Sequence, residues 1–180
     1  MSVVASENPA QVREKISLYE QVCGVYKLYR ILRMNALYYG ARVHRAQRIN
    51  FWFEILIAIS SSATVASVAV FKPFFPYLAG ITAILTVIKP ILAFPKQIEK
   101  FTMLWSGYLE ISLEVSQMIE EIQLTHDVTP EMRSNIILIR NKFDELSKRD
   151  DPYPNKRLLN KQWVAVKEEV PTNCFWTPPE

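Results

Sequence analysis

The chain has 180 residues, is 49% hydrophobic and 22% charged, and carries a formal net charge of +3 at pH 7. That length suffices for one domain with its own core, or for a small membrane protein with a soluble part. A charge this small gives no reason to expect direct contact with nucleic acid. Cys23 and Cys174 lie far apart and form no CxxC pair, which is compatible with a reducing cytoplasm. Residues 1–15 carry charges early and lack an apolar core, so we expect no cleaved secretory signal.

The first predicted element is an amphipathic helix over residues 8–50, which we expect in the cytoplasm. Asn8 and Pro9 are typical of a helix start, since asparagine caps well and proline suits the first helical position. Gly24 and Gly40 are its weak points. The helix is expected to run directly into the apolar segment that follows. Its apolar residues recur mostly at steps of four and three, namely Val12, Ile16, Tyr19, Cys23, Tyr26, Tyr29, Leu32, Ala36, Tyr39, Val43 and Ala46.

The middle of the chain, residues 51–95, predicts a transmembrane helical hairpin. Phe51–Phe71 contains one ionisable residue, Glu54, and would be about 31 Å long as a helix, which matches the hydrocarbon thickness of a bilayer. The two prolines of Lys72–Pro76 interrupt this run. A second run, Tyr77–Phe94, is apolar apart from one lysine and one proline. Two helices and a short turn fit a bilayer because helices satisfy their backbone groups internally.

Basic residues predict the orientation of the hairpin. They concentrate at its two outer ends, whereas only Lys72 lies in the connecting turn. By the positive-inside rule, both termini are then cytoplasmic and the turn lies outside. The basic residues at the outer ends are Lys27, Arg30, Arg33, Arg42, Arg45 and Arg48 upstream, and Lys96 and Lys100 downstream.

Glu54 and Lys89 are the two ionisable side chains inside the predicted spans. Both fall within about one and a half turns of the cytoplasmic boundary, on adjacent arms of the hairpin. Lys89 either extends to the lipid headgroups or pairs with Glu54. The two residues therefore form a candidate charged cytoplasmic mouth.

Polar residues form a stripe on each predicted span. The stripes consist of Ser60, Thr64 and Ser67 on the first span, and of Thr82, Thr86 and Lys89 on the second. Such stripes either allow helices to pack closely in an oligomer or line a wet path through it. Alternatively, the hydroxyls bond back to carbonyls of their own helix. A soluble bundle that buries both runs as core helices is the rival interpretation, although neither run has the polar face that a surface helix needs.

Residues 96–149 predict cytoplasmic helices that pack back on the first helix. An apolar stripe runs along the first of them: Ile98, Phe101, Trp105, Tyr108, Ile111, Val115, Met118 and Ile122. An antiparallel arrangement places Arg30 and Arg33 of the first helix near two acidic residues, Glu110 and Glu114. These exposed charges set the register of the pair, while apolar burial stabilises it.

A second start signal, Thr129 followed by Pro130, predicts another cytoplasmic helix with an apolar face. Beyond it, residues 150–180 are predicted to form an irregular tail, in which Gln162–Val166 alternates like a short strand. The aromatic side chains of this tail either dock on their own bundle or contact a partner protein. The candidate contact residues are Trp163, Phe175 and Trp176.

The sequence carries no motif for catalysis. His44 and His126 lack the neighbours of a metal site, and the single pair formed by His126 and Asp127 is too little for one. No phosphate-binding, nucleophile-elbow or zinc-protease motif occurs, and four glycines are too few for the usual phosphate-binding loops. We therefore expect no enzyme, with no catalytic residue, no bound metal and no cofactor.

The layout of the chain resembles a known family. A tyrosine- and arginine-bearing amphipathic helix, KLYRILRMNALYYGARVHRAQR (27–48), enters the predicted hairpin. A long amphipathic helix, KQIEKFTMLWSGYLEISLEVSQMIEEI (96–122), leaves it. Over residues 10–150 this architecture resembles the SLATT family, which are bacterial two-transmembrane effector domains associated with nucleotide-sensing and other conflict systems.

Residues and resemblance together predict an all-α membrane protein, a two-helix transmembrane hairpin extended by long cytoplasmic amphipathic helices. The resemblance implies an antiviral effector of the bacterial inner membrane, a homo-oligomer that permeabilises the lipid bilayer and causes abortive infection. A cytoplasmic sensor of the nucleotide cyclase-like, SLOG-type or reverse transcriptase kind would trigger it, since the chain shows no nucleotide pocket of its own. The alternative is a non-conducting membrane anchor or adaptor that scaffolds a cytoplasmic partner.

Overall fold

A computed structural model describes the backbone of residues 9–70, 75–171 and 176–177, and their side chains except those of 9–17, 63–70, 75, 78 and 91. These ranges contain helices and no strand, which confirms the all-α prediction. In chain order the helices are α1 (Pro9–Val70), α2 (Phe75–Leu92), α3 (Phe94–Thr125), α4 (Pro130–Ser147) and α5 (Lys156–Glu169).

α1 is one unbroken helix of 62 residues, and it is about 90 Å long at 1.5 Å per residue. It begins at Pro9, as the sequence predicts, and passes through Gly24 and Gly40 without a break. A glycine inside a helix costs only about 1 kcal/mol relative to alanine, which packing along the helix offsets. The predicted continuation into the apolar run is therefore confirmed, whereas Asn8 lies outside the described residues.

The chain divides into two compact units. Unit 1 combines the residues up to Tyr38 with those from Leu104 onward, and unit 2 is Tyr39–Met103. α1 and α3 each contribute residues to both units, while α4 and α5 belong to unit 1 and α2 belongs to unit 2.

The core of unit 1 contains the apolar faces of α1 and α3. Its fully buried side chains recur at helical spacing, so each helix buries one stripe. They include Val22, Val25, Leu32 and Tyr38 on α1, and Leu104, Tyr108, Val115 and Ile122 on α3. The predicted stripes are correct at Leu32 and Tyr108 but not at Tyr19, which is 46% exposed.

α4 starts at the predicted cap. The Thr129 hydroxyl accepts a hydrogen bond from the Met132 amide at 3.2 Å, and Pro130 occupies the first helical position. The cap satisfies an amide that the first turn of a helix otherwise leaves without a partner. The side chains that α4 buries are Met132, Ile136 and Ile139.

The tail is the main correction to the predicted fold. The prediction of an irregular segment over 150–180, with a strand-like stretch at Gln162–Val166, is wrong because Lys156–Glu169 form α5. The Asn155 side chain accepts a hydrogen bond from the Leu158 amide at 3.0 Å and caps this helix. Five residues alone fit either a strand or a helix, and only the longer spacing separates the two. The apolar residues at that helical spacing are Leu159, Trp163, Val166 and Val170.

The predicted ion pairs between α1 and α3 are the second correction. The sequence places Arg30 and Arg33 near Glu110 and Glu114. In the structure, Arg33 binds the Glu169 carboxylate at 2.7 Å, and Glu114 binds Lys142 at 2.6 Å. Arg30 donates to a backbone carbonyl just beyond α5, at 3.0 Å. The pairing argument fails because it compared two helices alone, whereas α4 and α5 supply charges to the same unit.

In unit 2, α1 packs antiparallel to α3. The ring centroids of Tyr39 and Phe101 lie 6.1 Å apart, and those of Phe53 and Phe94 lie 5.4 Å apart. Residue numbers rise along α1 as they fall along its partner, which defines the antiparallel direction. Apolar and aromatic contacts therefore hold the two helices together.

A left-handed residue separates α2 from α3. Ala93 has a φ of 45°, and its amide donates to the Pro90 carbonyl at 3.2 Å. The side-chain amide of Gln97 donates to the Leu92 carbonyl at 3.0 Å, so it satisfies one of the last acceptors of α2. Helices commonly end in this conformation, although glycine usually occupies the position. The regular helix is thus interrupted at the end of the second predicted span.

Candidate membrane-spanning site

Unit 2 exposes an unusual number of large apolar side chains. Monomeric soluble proteins rarely leave such side chains contiguous on the surface, and larger patches mark contacts with lipid, ligand or protein. We refer to this set as the apolar belt: Ile49, Phe51, Trp52, Leu56 and Ile59 on α1, and Tyr77, Ile81, Ile84, Val87 and Ile88 on α2. Helices α1 and α2 both contribute to it, so it belongs to both predicted spans.

Within the described residues, one helical stretch is long and apolar enough to cross a membrane. It lies within Ala79–Thr125, has a mean hydropathy of 1.4, and has only 6% of its apolar window buried. A core helix of a soluble protein passes the same length test but is mostly buried. The described residues of the chain leave most of this window exposed. On α1, the side chains from residue 63 to residue 70 lie outside the description.

The structure brings Glu54 and Lys89 together. The Lys89 ammonium donates to the Glu54 carboxylate at 3.2 Å, and the Asn50 side-chain amide donates to the same carboxylate at 3.0 Å. The Lys89 side chain is 33% exposed and that of Glu54 is 54% exposed. Of the two alternatives for Lys89, the structure contains the ion pair, which links α1 to α2 at one edge of the apolar belt.

The hydroxyls of Ser60 and Thr86, two residues of the predicted polar stripes, bond to their own helices. Ser60 donates to the Leu56 carbonyl at 2.7 Å, and Thr86 donates to the Thr82 carbonyl at 2.6 Å. The neighbouring Ser61 and Ser62 donate in the same way to carbonyls one turn earlier. Hydroxyls satisfied in this way need neither water nor a partner helix. The side chains of Thr64 and Ser67 lie outside the described residues.

Unit 1 contains a groove between α3 and α4 that the sequence does not reveal. Its volume is about 920 Å³, and its lining combines an apolar floor with a charged rim. Four of the rim residues are acidic and two are basic: Glu110, Glu114, Glu121, Glu145, Lys142 and Arg149. The hydrogen bond to Glu114 raises the pKa of Lys142 above its ordinary value. To predict such a groove, one must know how each helix is rotated about its own axis. The periodicity of the sequence does not determine that rotation.

The tail docks on unit 1 at Trp176. The hydroxyl of Tyr26 donates to the Trp176 carbonyl at 2.9 Å, and the Trp176 ring meets the His126 ring edge-on at 4.8 Å. Trp163 lies under the Lys167 ammonium, 5.4 Å from the ring centroid. Two alternatives were open for the aromatic residues of the tail, and Trp176 docks on the helices of its own chain. Phe175 lies outside the described residues.

Two buried tyrosines fix the segment before α5, and sequence reasoning missed both roles. Tyr108 donates from its hydroxyl to the Asp150 carboxylate at 2.8 Å. The hydroxyl of Tyr38 accepts a hydrogen bond from the Asn155 amide at 3.0 Å. A buried tyrosine hydroxyl needs a partner. The sequence does not identify either partner, because 42 residues separate Tyr108 from Asp150 and 117 residues separate Tyr38 from Asn155.

The described residues contain no group of three or more histidine, cysteine, aspartate or glutamate side chains that could hold a metal ion. No protein-family model, curated protein or solved structure matches the chain. The functional argument therefore depends on the residues of this chain.

Proposed function

We propose that the second half of α1 and α2 cross a lipid bilayer as a two-helix transmembrane hairpin. The observation that carries this proposal is the apolar belt, together with the 6% burial of the apolar segment within Ala79–Thr125. The ten exposed side chains of the apolar belt require a cover, and the hydrocarbon of a bilayer covers them without any further protein. The location would be the bacterial inner membrane.

Both termini would lie in the cytoplasm. The basic residues stand at the outer ends of the two spans, and the connecting turn contains a single lysine, Lys72. Glu54 and Lys89 then lie close to the inner boundary, where a charged side chain is cheaper than at the bilayer centre. Their ion pair would form part of the cytoplasmic mouth.

The proposed activity is that of a membrane effector, which assembles as a homo-oligomer and permeabilises the membrane when a cytoplasmic sensor triggers it. Two observations support assembly and coupling. The ion pair between Glu54 and Lys89 stays partly exposed in the single chain, so a neighbouring copy could cover it. α1 contributes to both units, so a repacking of unit 1 can reach the spans through one helix. A sensor acts here by favouring one of two packings of unit 1.

A voltage-sensitive dye tests this activity in cells that express the chain with its trigger. An effector that permeabilises the membrane should collapse the potential, and Thr86→Leu combined with Lys89→Leu should prevent the collapse. Ile84→Leu combined with Val87→Leu, on the same helix, is the matched control and should still depolarise the cells. An unchanged potential with the wild-type chain and its trigger would contradict the proposal.

A non-conducting adaptor is the second candidate, and one observation favours it. The hydroxyls of Ser60, Ser61, Ser62 and Thr86 are satisfied within their own helices, so nothing about them demands a wet path. An adaptor should retain its cytoplasmic partner at the membrane in the Thr86→Leu, Lys89→Leu variant. Co-sedimentation of the partner with membranes measures this, and it separates the adaptor from the effector.

A further inference from the structure

The basic residues that flank the two predicted spans along the chain fall into two groups. Three upstream arginines are engaged within the chain: Arg30 on the Val170 carbonyl, Arg33 on the Glu169 carboxylate and Arg42 over the Phe101 ring. The others include Arg45, Arg48 and Lys96, which are exposed and have no ion-pair partner among the described residues. One acidic residue, Glu99, is exposed three residues after Lys96 on α3. The structure thus separates cations that stabilise the fold from cations that face solvent.

The exposed arginines share one face of α1 with part of the apolar belt. Arg45, Arg48, Ile49 and Trp52 follow the spacing i, i+3, i+4, i+7, which places them on one side of a helix. The Ile49 side chain is 37% exposed and that of Trp52 is 56% exposed. This face changes from cationic to apolar within about 10 Å along the helix axis. Tryptophan is the residue type enriched where apolar and polar layers of a membrane meet.

Lys96 of α3 and Arg48 of α1 lie in the same stretch of the antiparallel helix pair. The contacts between Tyr39 and Phe101 and between Phe53 and Phe94 bracket both residues on the two antiparallel helices. Both helices therefore present an exposed cation in the stretch between these two ring contacts. Arg48 stands four residues, or about 6 Å, from Trp52, which is close to the thickness of one headgroup layer.

We propose that Arg45, Arg48 and Lys96 bind the phosphate headgroups of anionic phospholipids in the cytoplasmic leaflet. Trp52 then sits at the boundary between headgroups and hydrocarbon. A guanidinium group offers paired N–H donors that match a phosphate, and a lysine adds a point charge. Continuity with the apolar belt assigns the phosphate to a lipid rather than to a free anion. This inference rests on the proposed membrane insertion, and it adds the chemical class of the lipid.

Lipid selectivity of the full chain tests this inference. The chain is reconstituted into phosphatidylcholine bilayers, and electron paramagnetic resonance measures the association of spin-labelled phosphatidylglycerol relative to spin-labelled phosphatidylcholine. The test variant combines Arg45→Gln, Arg48→Gln and Lys96→Gln. The matched control combines Lys156→Gln, Arg157→Gln and Lys161→Gln, which removes the same charge from exposed positions on α5.

The wild-type chain and the α5 control should both prefer phosphatidylglycerol, and the test variant should lose the preference. A basic residue near an anionic surface is worth roughly fivefold in association, so the three together account for up to about a hundredfold. Raising the salt concentration to 1 M should weaken the preference, since it shortens the screening length to about 3 Å.

Equal association of the two lipids with the wild-type chain would overturn the inference, as would a preference that survives in the test variant. Loss of the preference on adding millimolar inorganic phosphate would also overturn it, by assigning the residues to a free anion. A chain that does not remain in the bilayer at all contradicts the proposed membrane insertion, and that outcome is visible before any lipid selectivity is measured.

Discussion

Lys89 of α2 donates a hydrogen bond to Glu54 of α1 at 3.2 Å, although 35 residues separate the two along the chain. The side-chain amide of Asn50 donates to the same carboxylate, so the Glu54 carboxylate accepts two hydrogen bonds. In water such a partly exposed pair contributes little to stability. At the edge of a bilayer an unpaired charge close to hydrocarbon is costly, and each partner neutralises the other. The ion pair therefore contributes more to stability the deeper it lies in the membrane.

The first prediction concerns the coupling between these two residues. Lys89→Leu leaves the Glu54 carboxylate without its cation, so this variant should lower the melting temperature in detergent micelles. Lys89→Leu combined with Glu54→Leu should restore part of the loss, because neither charge remains. A cycle of the two single variants and the double variant measures the coupling. Strictly additive losses would show that the pair does not stabilise the link between α1 and α2.

The second prediction concerns Ala93. Its φ of 45° is unfavourable for a residue with a Cβ atom, whereas glycine adopts it freely. Ala93→Gly should therefore stabilise the chain by about 0.5–1 kcal/mol, measured by denaturant unfolding in micelles. Ala83→Gly, in the interior of α2, is the control and should destabilise it by about 1 kcal/mol. Equal destabilisation by both substitutions would exclude a left-handed break at Ala93.

The third prediction compares two glycines in unit 1. A Cβ atom at Gly24 would lie 3.7 Å from the Arg140 guanidinium, which is an ordinary contact. At Gly107 it would lie 3.0 Å from both methyl groups of Leu146, which must move to admit it. Gly24→Ala should stabilise the chain by about 0.5–1 kcal/mol through helix propensity.

At Gly107 the same propensity gain is opposed by the displacement of Leu146, so Gly107→Ala should stabilise less. Gly107→Val adds bulk that α3 and α4 cannot accommodate, and we expect a loss of about 1–3 kcal/mol. Thermal unfolding of all three variants provides the comparison. A Gly107→Val chain as stable as the wild type would mean that α3 and α4 do not approach closely at this position.

The fourth prediction concerns the pH dependence of the Tyr26 contact. Burial, with a smaller contribution from Cys23, raises the pKa of Tyr26 above its ordinary value of 10.0. The neutral hydroxyl is thus favoured in the folded chain, so its contribution to stability is complete below about pH 10 and is lost as the pH rises further. Tyr26→Phe should cost about 1 kcal/mol at neutral pH by removing the bond to Trp176.

Above pH 10 the difference in unfolding free energy between wild type and Tyr26→Phe should shrink. Urea unfolding at a series of pH values measures that difference, with Tyr153→Phe as the control because Tyr153 is 87% exposed. A difference that stays constant across the series would mean that the buried hydroxyl does not titrate as described.

Local signals in the sequence were sufficient for some helices and insufficient for others. Pro9 and Thr129 mark helix starts because their backbone chemistry acts within one turn. α5 was missed because Gln162–Val166 is too short to distinguish a period of two from one of 3.6. The partner of Arg33 was missed for the same reason, since Glu169 belongs to the helix that was not predicted.

In the candidate site, too, some features could be predicted from the sequence and others required the structure. Glu54 and Lys89 could be placed at the same end of the hairpin because both lie close to the outer ends of the predicted spans. The choice between an ion pair and extension of Lys89 to the headgroups required the structure. The groove between α3 and α4 could not be predicted, since it depends on how two helices are rotated against each other. The separation of Arg42 from Arg45 and Arg48 also required the structure, because all three look alike in the sequence.

The most direct test of the membrane assignment is extraction of the expressed chain from a membrane fraction with alkaline carbonate and, separately, with high salt. If hydrocarbon surrounds the apolar belt, the chain stays in the pellet under both conditions and is released only by detergent. Recovery of the chain in the carbonate or high-salt supernatant, without detergent, would contradict the account.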